Sequence, residues 1–274
     1  MTASVQEHYG TSEIVTRILA AVPWSSDMGS TLKVEQLYPF DQLHGRELLA
    51  TQDHATRLNP ARGAHLLDIG SGVGGPARYF ARTFGCRVTG IDLTPEFVAA
   101  SRELGDLCGL RDLLTFIEAD AAKLPFDDDT FDHACSFYVG MNLPDKAAVL
   151  KECIRVLRPG GKLIWTEVTA AAGTPHYPLP WSRTLDGSHI QTSADLVDTF
   201  RSAGFEVLSF EDETGAHLEL ARQIKMSGRV PLPGQIQANE VVLGADFAPR
   251  RANYIRSLGE GLIASTLIEA RKPA

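Results

Sequence analysis

The stretch HLLDIGSGVGGPA, residues 65–77, decides how this chain is read. Apolar residues lead into Asp68, a glycine-rich turn follows, and Pro76 opens a helical pattern. Pro76 suits a first helical position, where its missing N–H has no intrahelical partner to lose. Ala77, Phe80, Ala81 and Phe84 then fall on one helical face that can pack on a sheet. Strand, turn and helix in that order is the context in which a bare backbone can cradle a nucleotide-like ligand. Gly70 and Gly72 supply backbone angles that side chains forbid. Asp68 is a charge ending an otherwise apolar strand, which is costly without a polar partner.

The glycine spacing alone does not choose a ligand. Gly70, Gly72 and Gly75 satisfy the dinucleotide pattern G-x-G-x-x-G, Gly70, Gly72 and Gly74 satisfy G-x-G-x-G, and a glycine turn can also be plain. The chain that follows narrows the choice. Residues 86–91, CRVTGI, read as a second strand ending at Asp92, with Thr94 and Pro95 starting a helix through Leu104. Asp92 lies twenty residues beyond Gly72, a spacing that suits a carboxylate accepting from two ribose hydroxyls. NAD and S-adenosylmethionine enzymes share that spacing. Residues 114–119 form a third strand before Asp120 and Ala121, and residues 131–139 a fourth. An acid at the end of strand three can meet an adenine amine, with a backbone N–H beside it. Asp127, Asp128 and Asp129 read as a solvated loop. Residues 146–157 form an amphipathic helix capped by Asp145, and RPGG, residues 158–161, turns into a fifth strand at 162–169. Such alternation signals a parallel sheet covered on both faces.

These segments resemble the class I S-adenosylmethionine-dependent methyltransferases. The resemblance rests on D-I-G-S-G-V-G from Asp68, on the acid, LPF and FD sequence from Asp120 to Asp132, and on LRPGGKL from Leu157. It implies an α/β fold, a Rossmann-like seven-stranded, mostly parallel sheet with helices on both faces and a helical cap. It implies S-adenosylmethionine as cofactor. Asp68, Gly70, Ser71, Gly72 and Gly74 would hold the methionine part, Asp92 with Leu93 the ribose, and Asp120 with Ala121 the adenine. Phe137 and the residues to Asn142 would lie closest to the methyl group. An NAD(P)-dependent oxidoreductase would leave Asp68 and Asp120 unexplained, and the chain has no Tyr-x-x-x-Lys pair. A noncatalytic S-adenosylmethionine-binding protein is the other alternative.

The flanks predict the acceptor side. Residues 11–22 form a helix with Ser12 as cap and Pro23 as stop, a loop covers 24–34, and a second helix covers 42–58 before Asn59-Pro60. Segment 38–47, YPFDQLHGRE, is either a helix start or a piece that closes over the cofactor with Gln42. Past strand five come HYPLPW at 176–181, a helix at 193–203 and a sixth strand at 205–213. Helical character then continues to 249, broken at 228–234, and a last strand spans 261–271. The expected organisation is a cap at 1–60, a core at 61–213, a helical lid at 214–249, and a helix and strand at 250–274 that complete the core. An insertion before the last strand resembles small-molecule methyltransferases, where it roofs the substrate pocket. Asp41-Gln42-Leu43-His44, the run Met141 to Lys146, Pro175 to Pro178 and Pro180-Trp181 are most similar to the sarcosine/dimethylglycine methyltransferase-like branch, with phosphoethanolamine and tocopherol-type enzymes more distant. Met141-Asn142 stands where many such enzymes carry a histidine. An amine acceptor, already nucleophilic, needs no base there; an oxygen or carbon acceptor more often does. His44, Tyr138, Tyr177 and Trp181 are the expected acceptor-pocket residues, with plain loop packing the alternative for Tyr177 and Trp181.

Composition bounds the rest. The 274 residues are 44% hydrophobic and 22% charged, ordinary values for a globular chain. A net charge of -8 argues against a nucleic-acid partner. No apolar run reaches membrane-spanning length, and the first residues lack a signal pattern. Cys86, Cys108, Cys135 and Cys153 are widely spaced, with no metal-ligand pattern, and read as buried free thiols of a cytoplasmic protein. A small-molecule acceptor, no metal and no membrane partner are expected; oligomeric state is not readable.

Overall fold

The structure is a computed structural model and describes residues 13–22, 24, 31–227 and 238–274. Seven strands form one sheet: β1 (His65–Ile69), β2 (Arg87–Asp92), β3 (Leu114–Glu118), β4 (Phe131–Phe137), β5 (Leu157–Ala170), β6 (Glu206–Asp212) and β7 (Ile263–Arg271). Their order is β3-β2-β1-β4-β5-β7-β6, with β7 antiparallel to both neighbours and the other pairings parallel. This is the Rossmann-like sheet expected above. The chain reverses its winding at β1, so β1 and β4 diverge from a switch point where ligands of open α/β sheets bind.

Period-two alternation divides the core. Leu66, Val88 and Ile164 face one layer with α4 (Gly75–Phe84) and α5 (Pro95–Leu107). Leu67, Ile91, Leu163 and Trp165 face the other, with α6 (Lys146–Val156) and α7 (Ser193–Ser202). The cap helices α1 (Ile14–Ala21), α2 (Val34–Asp41) and α3 (Glu47–Leu58) precede the sheet. The lid side carries α8 (Thr214–Met226), α9 (Glu240–Leu243) and α10 (Phe247–Gly259). A third apolar cluster, with Met141, Trp181, Tyr254 and Leu258, joins α10 to the loop after β5. Among the described residues no helix is long and apolar enough to cross a membrane, and no acidic, His or Cys cluster could hold a metal. The four cysteines are buried and unpaired.

Three local expectations change. The helix expected over 42–58 starts only at Glu47, as α3, because Arg46 (φ 61°) and Glu47 (φ 51°) are left-handed, and a separate helix, α2, precedes it at 34–41. Strand five begins at Leu157, five residues early: Leu157 pairs with Phe131 and Lys162 with His133, so RPGG is an irregularity within the ladder. The Arg158–Asp132 ion pair and the Gly160 N–H to Lys272 C=O bond (2.9 Å) hold it. The last helix starts at Phe247, before the expected boundary at 250. The expected cap Ser12, stop Pro23 and break at 228–234 lie outside the described residues.

A buried ion pair docks the cap on the core. Asp41 at the end of α2 and Arg78 on α4 meet at 2.9 Å with both side chains fully buried, and Gln42 Nε2 donates to the other Asp41 oxygen at 2.8 Å. Removing one partner strands a buried guanidinium, which costs about 3–5 kcal/mol. Asp41→Ala should lose that much stability in urea unfolding; a loss under about 1 kcal/mol would mean the cap docks without the pair.

Candidate active site

At the carboxyl edge of β1, β2 and β4 lies a cavity of roughly 1590 Å³ including its open mouth.

The glycine turn forms one wall. Gly70 and Ser71 N–H both donate to Ile91 C=O, at 2.8 and 2.9 Å, fixing the turn on β2. A Cβ on Gly70 (φ 70°) would strike Val139, whereas one on Gly72 (φ 54°) would meet nothing nearer than Leu43 at 3.7 Å. Gly70 is therefore demanded by packing and Gly72 by conformation, with its face bare to the cavity. Asp92 organises the wall: its Oδ2 accepts from Gly72 N–H and its Oδ1 from Thr94 N–H, both at 2.9 Å. Burial still holds its carboxyl above the usual range, against those bonds. Asp68 is more isolated. Cys135 Sγ lies 3.6 Å from Oδ1, Oδ2 has no partner, and burial pushes the carboxyl up to about 7. Ser71 Oγ is also buried without a partner.

The roof comes from three separate segments. Segment 43–47 supplies His44, whose Nε2–H donates to Thr51 Oγ1 at 2.9 Å; Thr51 in turn donates to Gln42 Oε1 at 2.6 Å. Gly45 lies against the His217 ring, leaving no space for a side chain. Arg46 bonds Glu213 Oε1 at 2.8 Å and pairs with Asp53, tying the segment to the end of β6. The loop after β5 supplies Trp181, whose Nε1–H donates to Ser188 Oγ at 2.9 Å. The lid supplies His217, Leu220, Leu243, Phe247 and Tyr254.

Tyr138 joins wall and roof. It has φ 59°, unusual for an aromatic residue, and its N–H donates to Thr166 C=O at 2.8 Å. Its hydroxyl sits 2.7 Å from His217 Nε2 and 2.5 Å from Ser265 Oγ; Tyr254 Oη is 3.2 Å from His217 Nδ1. Burial lowers both His217 and His44 to about 4, so both rings are neutral near pH 7. A neutral imidazole accepts at one nitrogen only, so Tyr138 and Tyr254 cannot both donate to His217. Burial raises the Tyr138 hydroxyl well above its ordinary range.

Of the residues expected from sequence, Asp68, Gly70, Ser71, Gly72, Asp92, Leu93, Ala121 and Phe137 line this cavity, with His44, Tyr138 and Trp181. Four do not. Gly74 closes the turn through its N–H to Ser71 C=O (2.8 Å) and packs on Phe116 and Arg78. Gln42 is buried, its amide spent on Asp41 and Thr51. Asp120 sits between two lining alanines, its Oδ1 accepting from Ala122 N–H at 2.9 Å. Tyr177 packs on the third apolar cluster, its hydroxyl buried without a partner. Sequence reasoning missed His217, Tyr254, Asn239, Glu47 and Arg251. Their only signal is amphipathic character in the lid and cap, which does not say which face meets a cavity.

Residues 67–165 match the methyltransferase domain model. The chain is 34% identical over 154 residues to the sarcosine/dimethylglycine N-methyltransferase of Halorhodospira halochloris, covering 55% of this chain and 54% of that protein. It spans about half the length of such curated relatives. Among solved structures it is similar to the [4+2]-cyclase SpnF, with TM-score 0.68 and 25% identity over 98% of this chain and 96% of that one. The phosphoethanolamine N-methyltransferase 2 of Haemonchus contortus, in complex with S-adenosylhomocysteine, shares the fold at TM-score 0.68 and 20% identity, over 88% of this chain and 58% of that one. Strand order, ordered motifs and the matched domain agree that residues 67–165 form a methyltransferase domain, set in the Rossmann-like sheet that this chain shares with these solved structures.

Proposed function

We propose that the protein transfers a methyl group from S-adenosylmethionine to a small molecule held in the roofed half of the cavity. The observation that carries this reading is the joining, in one cavity, of a glycine and acid wall to an aromatic roof. The residues present fit the cofactor. Asp68 Oδ2 and Ser71 Oγ are buried polar atoms without partners, and the Gly72 face is open. Asp68 and the Gly70–Gly72 turn would hold the methionine end, Asp92 and Leu93 the ribose, and the Ala119–Ala121 segment the adenine. When bound, the cofactor supplies a methyl group already activated by its sulfonium. The chain's own residues align the acceptor and exclude water.

Two features favour an amine acceptor. A base with a pKa near 4 removes protons weakly, so the buried His44 and His217 are poorly tuned to activate a hydroxyl near pH 7. Tyr138, Trp181 and Tyr254 offer aromatic faces, which stabilise a cationic amine by about 0.5–2 kcal/mol. The near full-length likeness to a [4+2]-cyclase favours a second reading, cyclisation in the same roofed cavity with the cofactor retained. Incubation with S-adenosylmethionine and a panel of amines, alcohols and polyenes separates them by mass spectrometry. Formation of S-adenosylhomocysteine with a product heavier by one methylene is expected. A product of unchanged mass, with no S-adenosylhomocysteine, would establish the cyclase reading instead.

Asp92→Ala should weaken S-adenosylmethionine binding at least about tenfold, since each charged hydrogen bond is worth about 1.5–3 kcal/mol. Calorimetry showing affinity within about twofold of the parent would reject the ribose assignment.

Asp68 should leave a signature in stability. Its folded pKa is raised from 3.8 to about 7, so its contribution is fully present below pH 3.8 and lost as pH rises through about 7. Without cofactor, Asp68→Asn should be more stable than the parent at pH 8, on the order of 2–4 kcal/mol, and the gap should close towards pH 4. Denaturation curves that run parallel across that range would show that burial of this carboxylate does not govern the wall.

A further inference from the structure

A buried charge pair lies behind the turn that follows β4. Lys146 opens α6 and Glu167 stands on β5; their side chains are 2% and 0% exposed, with Nζ 3.6 Å from Oε1. The other carboxylate oxygen, Oε2, accepts from Trp165 Nε1–H at 2.7 Å, while Oε1 has no hydrogen-bond partner. Burial pushes Glu167 up to about 7 and Lys146 below its ordinary value, and each charge opposes the shift of the other.

Both charges reach the cavity lining through main chain. A Cβ added to Gly140 would strike Glu167 Oε2, so the carboxylate is pressed on bare backbone there. Lys146 Nζ donates to His189 C=O, and His189 N–H donates to Met141 C=O at 2.8 Å. The turn Gly140–Asn142 closes on itself through Asn142 N–H to Val139 C=O (2.9 Å) and Leu143 N–H to Gly140 C=O (3.0 Å). It is thus braced by Glu167 at Gly140 and tied to Lys146 at Met141. Val139, Met141, Asn142 and Leu143 line the cavity, whereas Lys146 and Glu167 do not. A buried ion pair adds little net stability, because desolvation offsets its attraction. What this pair fixes is the place of the turn.

We infer that Lys146 and Glu167 are positioning residues for methyl transfer: through Met141 and Gly140 they hold the Gly140–Asn142 turn against the methyl end of the cofactor. This rests on the methyl-transfer reading, and it adds a second layer of residues to the reaction end of the cavity. Alignment there is sensitive, since a misplacement of about 1 Å can cost on the order of a hundredfold in rate.

S-adenosylmethionine and S-adenosylhomocysteine differ only in the sulfonium methyl and its charge, so their affinity ratio reads the methyl end without an acceptor. Calorimetry on the full chain compares the parent with two variants. Lys146→Leu with Glu167→Gln removes both charges and leaves Trp165 an acceptor. Glu167→Asp keeps both charges and draws the carboxylate back from Gly140; as the milder change, it decides the matter if the double variant does not fold. Each variant should hold S-adenosylhomocysteine within about twofold of the parent and lose at least about fivefold in S-adenosylmethionine affinity. Crystal structures with S-adenosylhomocysteine should show the turn displaced by about 1 Å. Failure of the parent to bind either molecule would sink the methyl-transfer reading itself. Given that binding, an unchanged affinity ratio in Glu167→Asp overturns the positioning role. So does an equal loss of both affinities, which would make the pair a support of the fold alone.

Discussion

Two backbone amides converge on the Asp92 carboxylate, and the binding edge of the sheet depends on that convergence. One amide is Gly72, from the turn after β1, and the other is Thr94, which begins the chain's approach to α5. A carboxylate accepting backbone N–H bonds fixes both at once, and the Ile91 carbonyl adds two bonds to Gly70 and Ser71. The turn is therefore clamped to β2 from both sides. With Gly70 pressed on Val139, beyond β4, three strand ends close around one bare stretch of main chain. A side chain at Gly70 would push the β4 end outward and open the wall.

That wall was legible in the sequence because short-range rules build it. The turn follows its strand directly, the register of parallel neighbours sets Asp92 beside Gly72, and period-two alternation fixes which residues face each layer. The roof was legible only in part. His44 and Trp181 were found, but Gln42 turns inward because Asp41 and Thr51 occupy its amide. The break between α2 and α3 depends on Arg46 meeting Glu213, 167 positions away in sequence. His217 reaches the site only because Ser265 on β7 and Tyr138 after β4 meet it, contacts 48 and 79 positions distant. Helical periodicity shows that 214–226 is amphipathic without showing which partner its buried face meets.

Tyr177 teaches the same point from the other side. An aromatic and proline-rich loop after β5 announces burial, and both Tyr177 and Trp181 are covered. Only Trp181 reaches the cavity, because its indole is anchored to Ser188 while Tyr177 packs beneath with its hydroxyl unpaired. Residue type predicted that the loop is buried. Which ring faces the ligand is decided by the backbone path between them.

The distribution of charge around the cavity has a chemical logic under the proposed reaction. Positive charge leaves the sulfur and appears on the acceptor nitrogen as the methyl moves. A fixed anion beside the sulfur would hold the starting state more strongly than the transition state and would slow the step. A fixed cation there would repel the sulfonium before it could bind. Asp68 and Asp92 stand on the wall, while Phe137, Tyr138 and Met141, which also line the cavity, are uncharged near pH 7. His44 and His217 would break the pattern if they were protonated, and burial keeps them neutral down to about pH 4. Aromatic faces attract positive charge wherever it lies along the transfer path, so they suit a charge that is spreading over two atoms. The aromatic part of the roof is therefore more than a lid against water: its faces attract the travelling charge without fixing it at either atom.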